Sequence, residues 1–231
     1  MGARSPHQRG GEGVSERFTD QLWREAEPVW QAIQAHPFLA ELRAGTLPIE
    51  TFQYYVIQDY HYLEAFGRAV ATGLAKAPTS ELMARVARRV MTPIERPLHE
   101  RLFTMAGLTH ADAVAAVISP TNMAYQNHML ATAARGTLGE TAAALLPCPW
   151  TYHALGDVVV DVVHPVYSEW AKFYTEGLLA DSCRSWRELV DGEVEEGGPR
   201  TREAMRRVFH QSIRYEWMFW DMAYRREGWP I

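Results

Sequence analysis

Three stretches pair a reactive or charged side chain with an aromatic one at helical spacing. In Leu145-Leu146-Pro147-Cys148-Pro149-Trp150-Thr151-Tyr152, one of the chain's two cysteines stands four residues before Tyr152. In Gln58-Asp59-Tyr60-His61-Tyr62, Asp59 stands three before Tyr62, and in Tyr215-Glu216-Trp217-Met218-Phe219-Trp220, Glu216 stands three before Phe219. Side chains three or four apart share one face of a helix. Asp59 lies amid Tyr55, Val56, Ile57, Leu63 and Phe66, and Glu216 amid aromatic residues, so neither is expected to face solvent fully. If these three helices face one another, they enclose a pocket with a thiol nucleophile, two carboxylates and aromatic walls.

Cys148 sits between two prolines. Each proline removes a backbone donor and fixes φ, and the residue before a proline is pushed toward extended geometry. The expectation is a chain break at Cys148 and a helix opening near Pro149. A cysteine at that helix N-terminus would have its thiolate favoured and its pKa lowered. The plainer reading is a kinked helix whose buried cysteine serves as a small hydrophobe. Taken alone, each carboxylate is more simply read as making a structural hydrogen bond to a neighbouring tyrosine or a helix ion pair.

Two further pairs have metal-ligand spacing, Glu95 with His99 and Asp161 with His164. Di-iron bundles use such pairs, but they repeat them in matched form over four helices. No matched repeat is present here, so an ion pair, or capping by His164 before Pro165, is expected and no metal is assigned. Glycine-rich phosphate loops and Gly-x-Ser-x-Gly elbows are absent.

The chain has 231 residues and a formal net charge of -5, which gives no sign of the basic patch that nucleic-acid binding requires. Two cysteines build neither a disulfide framework nor a cysteine-rich zinc site, which points to a reducing cytoplasm. No apolar run approaches the roughly 18 residues of a membrane span, and the first residues lack a signal peptide's apolar core. The 8 Trp, 10 Tyr and 8 Phe are enough to line an interior pocket for a flat ligand.

The elements that must position these residues are all helical. Residues 1–13 have no apolar period and are expected to form a disordered tail before a single domain over 14–231. Phe18, Leu22, Ala26, Val29, Trp30 and Ile33 recur at spacings of three or four. Further helices are expected over 48–76, then from Pro78 to Gly107 with a kink at Pro93 and Pro97, and over 111–118, 120–134, 137–146, 149–163, 165–179, 182–193 and 200–226. Val158-Val159-Val160 is β-prone but stands in a helical setting. No period-two stretch is long enough for a strand, so the expected fold is an all-α single domain.

Taken in order, His36-Pro37-Phe38, Gly45-Thr46-Leu47-Pro48, Tyr54-Tyr55-Val56-Ile57-Gln58-Asp59, Leu145-Leu146-Pro147-Cys148-Pro149-Trp150, His164-Pro165-Val166-Tyr167 and Tyr215-Glu216-Trp217-Met218-Phe219-Trp220-Asp221-Met222-Ala223-Tyr224 resemble the TenA family, the thiaminase II or aminopyrimidine aminohydrolase enzymes. The resemblance spans about residues 18–229. It implies a haem-oxygenase-like helical bundle, a homotetramer, and no haem, metal or other cofactor. It also implies a reaction in thiamin salvage. The aminomethyl group of 4-amino-5-aminomethyl-2-methylpyrimidine is hydrolysed to the hydroxymethyl compound and ammonia, and intact thiamin is cleaved more slowly. On the family pattern Cys148 matches the nucleophile and Glu216 the acid/base carboxylate. Asp59 matches the carboxylate that recognises the aminopyrimidine edge. Tyr62, Tyr125, Tyr152 and Tyr174 match pocket tyrosines, and Phe219 a ring-stacking position. Pro149, Asn122, Met123, Pro93 and Pro97 depart from the pattern, which bears on substrate detail more than on reaction class. Two other readings remain at this point: a metal- or quinone-type oxidase on the same bundle, and a non-catalytic pyrimidine-binding protein.

Overall fold

A computed structural model describes residues 16–91 and 95–231. Among them are twelve helices: α1 (Phe18–Gln34), α2 (Pro37–Ala44), α3 (Ile49–Leu74), α4 (Ser80–Met91), α5 (Arg96–Ala106), α6 (His110–Ala115), α7 (Pro120–Arg135), α8 (Leu138–Leu145), α9 (Pro147–Leu155), α10 (Pro165–Thr175), α11 (Ala180–Glu196) and α12 (Pro199–Arg225). No strand occurs among the described residues. The expected tail, residues 1–13, lies outside them.

Local chemistry sets many of the helix starts. The His36 ring accepts from the Phe38 N–H at 3.2 Å, with Pro37 in the first turn of α2. Ser119 accepts from the Asn122 N–H at 3.2 Å, with Pro120 opening α7. Thr137 and Glu140 form a capping box at the start of α8. α2 stops at Gly45, whose φ of +72° suits the left-handed position after a helix.

The long helices α3 and α12 form the axis of the bundle. α3 packs on α7, α8 and α12, and α12 packs on α1, α7, α8 and α9. Their contact is aromatic. Tyr55 of α3 stacks on Trp220 of α12 with ring centroids 5.2 Å apart, and Trp170 of α10 meets both rings edge-on. Trp23 of α1 stacks on Trp150 of α9 at 4.5 Å, which fixes the outer side of the cysteine-bearing helix.

Several boundaries differ from expectation. The segment expected to run kinked from Pro78 to Gly107 is two helices, α4 and α5. Pro97 stands in the first turn of α5, where its missing N–H leaves no helical bond unmade. Pro93 lies outside the described residues. The helix expected to reach residue 163 ends at Leu155, and turns follow in which Asp161 has a φ of +58°. At Gly156 the chain runs so close to the Tyr174 carbonyl that an added Cβ would stand 2.6 Å from that oxygen. Asp161 and His164 therefore share no helix face. His164 precedes α10 without capping it, and its ring stacks on Tyr167 at 3.9 Å.

Candidate active site

α3 contributes Asp59 and Tyr62, α7 contributes Tyr125, α9 contributes Cys148 and Tyr152, α10 contributes Tyr174, and α12 contributes Glu216 and Phe219. All eight side chains are buried. They gather at one place in the bundle. The Tyr62 ring lies 5.0 Å from Tyr125 and 5.7 Å from Phe219, and Tyr152 lies 5.2 Å from Tyr174. The two aromatic groups meet through Tyr55, which touches the Phe219 ring at 6.1 Å and the Tyr152 hydroxyl at 2.9 Å.

The Cys148 expectation needs correction. Leu146 is helical, α9 begins at Pro147, and Cys148 lies within its first turn rather than in an extended break. Two prolines are tolerated there because first-turn N–H groups have no intrahelical partner. The expected lowering of the thiol pKa is also reversed. Burial pushes it well above its ordinary value, and the nearby Glu216 and Glu95 carboxylates push the same way. Desolvation is the largest cause, and the two neighbouring acids add to it.

Glu216 is only 3% exposed. The Tyr125 hydroxyl donates to its Oε1 at 2.5 Å, and Thr151 Oγ1 lies 3.3 Å from its Oε2 and 3.2 Å from the Cys148 carbonyl oxygen. Burial raises the Glu216 carboxyl to about 7, although both hydroxyls hold it down. A carboxyl poised near neutrality gives and takes protons with equal ease. The Tyr62 hydroxyl is buried with no hydrogen-bond partner beside Tyr125 and Cys148. A buried orphan donor of this kind suits a ligand atom.

Some members of the site carry little local sequence signal. Glu95, read above as the ion-pair partner of His99, instead faces the acidic cluster. Burial, Asp59 and Glu216 raise its carboxyl to about 8. His99 turns its Nε2 to Asp59 Oδ2 at 2.9 Å. Tyr55 holds Tyr152 and is itself held by Trp170, whose Nε1–H donates to the Tyr55 oxygen at 3.3 Å. The Glu95/His99 spacing is local, whereas the contact of His99 with α3 is tertiary. Among the described residues, no group of three or more His, Cys, Asp or Glu side chains is placed to hold a metal ion, and no helix is long and apolar enough to cross a membrane.

The thiol, the near-neutral carboxyl and the aromatic walls lie on five helices spread from residue 49 to residue 225, so a family carrying this site should match most of the chain. A chain from Bacillus subtilis (strain 168) named aminopyrimidine aminohydrolase is 32% identical, with 92% of each chain covered. The solved TenA homologue from P. horikoshii OT3 superposes with a TM-score of 0.81 at 34% identity, covering 91% of this chain and 99% of that one. A domain with a heme oxygenase-like fold from Shewanella denitrificans OS217 shares the fold at a TM-score of 0.74 and 12% identity, over 93% and 94% of the two chains. The TENA/THI-4/PQQC family model matches residues 23–226, and the chain, with this fold and these relatives, belongs to that family.

Proposed function

We propose that this protein is an aminopyrimidine aminohydrolase of thiamin salvage, with Cys148 as nucleophile and Glu216 as proton carrier. The carrying observation is the placement of a buried thiol beside a carboxyl raised to about 7 within walls of tyrosine and phenylalanine. The name of the B. subtilis relative supplies the substrate class. The substrate is 4-amino-5-aminomethyl-2-methylpyrimidine. The products are 4-amino-5-hydroxymethyl-2-methylpyrimidine and ammonia.

The steps follow from the residues. Ionised Glu216 takes the thiol proton as sulfur bonds to the electron-poor ring carbon beside the one that carries the aminomethyl group. Glu216 returns that proton to the amine nitrogen, the C–N bond breaks, and ammonia leaves an exocyclic methylene on the ring. Water then adds to the methylene while Glu216 takes its proton. The C–S bond breaks to restore the aromatic ring, and the thiolate recovers its proton from Glu216. One water enters and one ammonia leaves. Because the thiol is held protonated, removal of its proton is coupled to attack and reactive thiolate does not accumulate between turnovers. Asp59 accepts hydrogen bonds from the aminopyrimidine edge, and Phe219 and Tyr62 pack on the ring faces. The family resemblance carries three further parts of the proposal: slower cleavage of intact thiamin, a homotetrameric assembly and a cytoplasmic location.

The test is incubation of the purified protein with the aminomethylpyrimidine while ammonia and the hydroxymethyl product are both measured. Equal amounts of the two are expected. Binding without ammonia release would leave a pyrimidine-binding protein, and an oxidised product would favour an oxidase.

A further inference from the structure

Asp59 does not stand alone. His99 comes from a different helix, is 3% exposed, and places Nε2 at 2.9 Å from Asp59 Oδ2. In this pairing the carboxylate oxygen accepts from Nε2–H. The other ring nitrogen, Nδ1, is buried without any partner. A buried unsatisfied nitrogen is unfavourable, and an apolar side chain would fill this space without that cost. The imidazole thus keeps one hydrogen bond, to Asp59, at the expense of the other.

The ring has little freedom to turn. Tyr60 meets it edge-on at 6.3 Å, and Phe103 lies 6.1 Å away on its own helix. The Arg96 guanidinium, at the start of α5, sits 4.1 Å over the Tyr60 ring and ties α5 to α3 beside the pair.

We propose that His99 is a positioning residue for Asp59. It occupies Oδ2, fixes the rotation of the carboxylate, and leaves Oδ1 to accept from the amino group of the substrate. The proposal rests on the reading of Asp59 as the group that recognises the aminopyrimidine edge.

Its test compares His99→Gln with His99→Asn. A glutamine can place its amide nitrogen where Nε2 stands, whereas an asparagine places its own nearer Nδ1 and stops short of Asp59. Equilibrium binding of the product, 4-amino-5-hydroxymethyl-2-methylpyrimidine, is measured for the wild type and both variants, each alone and combined with Asp59→Asn. His99→Gln is expected to bind within about two-fold of wild type, and His99→Asn about ten-fold more weakly, the size of one hydrogen bond to a charged group. Once Asp59→Asn is present the His99→Asn loss should shrink below about two-fold, because a residue that acts through Asp59 has nothing left to position. A purely structural role predicts the same loss in both backgrounds. Equal affinities for the Gln and Asn variants, or an undiminished loss in the Asp59→Asn background, overturn the role of His99 while leaving Asp59 in place. An Asp59→Asn protein that binds like wild type overturns the recognition reading itself, and the His99 role with it.

Discussion

The Tyr125 hydroxyl donates to Glu216 Oε1 at 2.5 Å, and this bond works against the burial that raises the Glu216 carboxyl to about 7. Tyr125→Phe removes it. Hydrogen bonds to charged groups contribute about 1.5–3 kcal/mol, and about 1.4 kcal/mol corresponds to one pH unit. The acid limb of the kcat profile should therefore move up by about one to two units in Tyr125→Phe. A profile with an unmoved limb would show that Glu216 does not set it.

Glu216→Gln keeps the shape of the side chain but carries no proton. General acid–base assistance is worth about 10²–10⁴ in rate. kcat should fall by that order while affinity for the product pyrimidine changes little. Single-turnover rates beside equilibrium binding check both halves, and a variant that loses affinity but keeps its rate would reverse the assignment.

The same carboxyl shapes stability. Its folded-state pKa, about 7, exceeds its ordinary value of 4.5, so the folded protein holds a proton that the unfolded chain releases. Between those two values the folded state binds more protons, and stability falls as pH rises. The full effect is roughly 3 kcal/mol at the pH above both. Urea midpoints of wild type should decline from pH 5 to pH 8 more steeply than those of Glu216→Gln. Parallel curves would place the slope elsewhere, with Glu95, raised to about 8, as the other acid shifted in the same direction.

Asp59→Asn should weaken pyrimidine binding about ten- to a hundred-fold, because a charge-assisted hydrogen bond contributes about 1.5–3 kcal/mol in ground and transition state alike. Its single-turnover rate at saturation should stay within a few-fold of wild type. A collapse of that rate with intact binding would move Asp59 from recognition to chemistry.

Local spacing carried much of this site. Asp59 with Tyr62, Glu216 with Phe219 and Cys148 with Tyr152 are each set by one turn of helix, and each pair does share a buried face. Tyr125 and Tyr174 are marked only by family resemblance, since a single tyrosine on a helix has no partner at fixed spacing to mark it. Pairs from separate helices escaped. The bond from His99 to Asp59 and that from Tyr55 to Tyr152 depend on how α5 and α9 dock on α3. The expected fall in the Cys148 pKa failed for a similar reason. A helix start is visible in Pro147 and Pro149, whereas the carboxylates of α12 and of the α5 start come from 53 to 68 residues away in the chain. Helix ends set by packing were equally hidden, as at Gly156 against Tyr174.

The central claim is that Cys148 forms the bond to the ring, and the direct measurement is single-turnover ammonia release by Cys148→Ser at saturating aminomethylpyrimidine, with Cys183→Ser as the control. Cys183 is also buried, and burial raises its thiol to about 11, but it lies on α11 away from Glu216. Cys183→Ser should keep wild-type ammonia release and lose about 1–3 kcal/mol of stability for its buried hydroxyl. Cys148→Ser should bind the product pyrimidine as wild type does and release no ammonia above the uncatalysed rate. Ammonia release by Cys148→Ser within ten-fold of wild type would contradict the account.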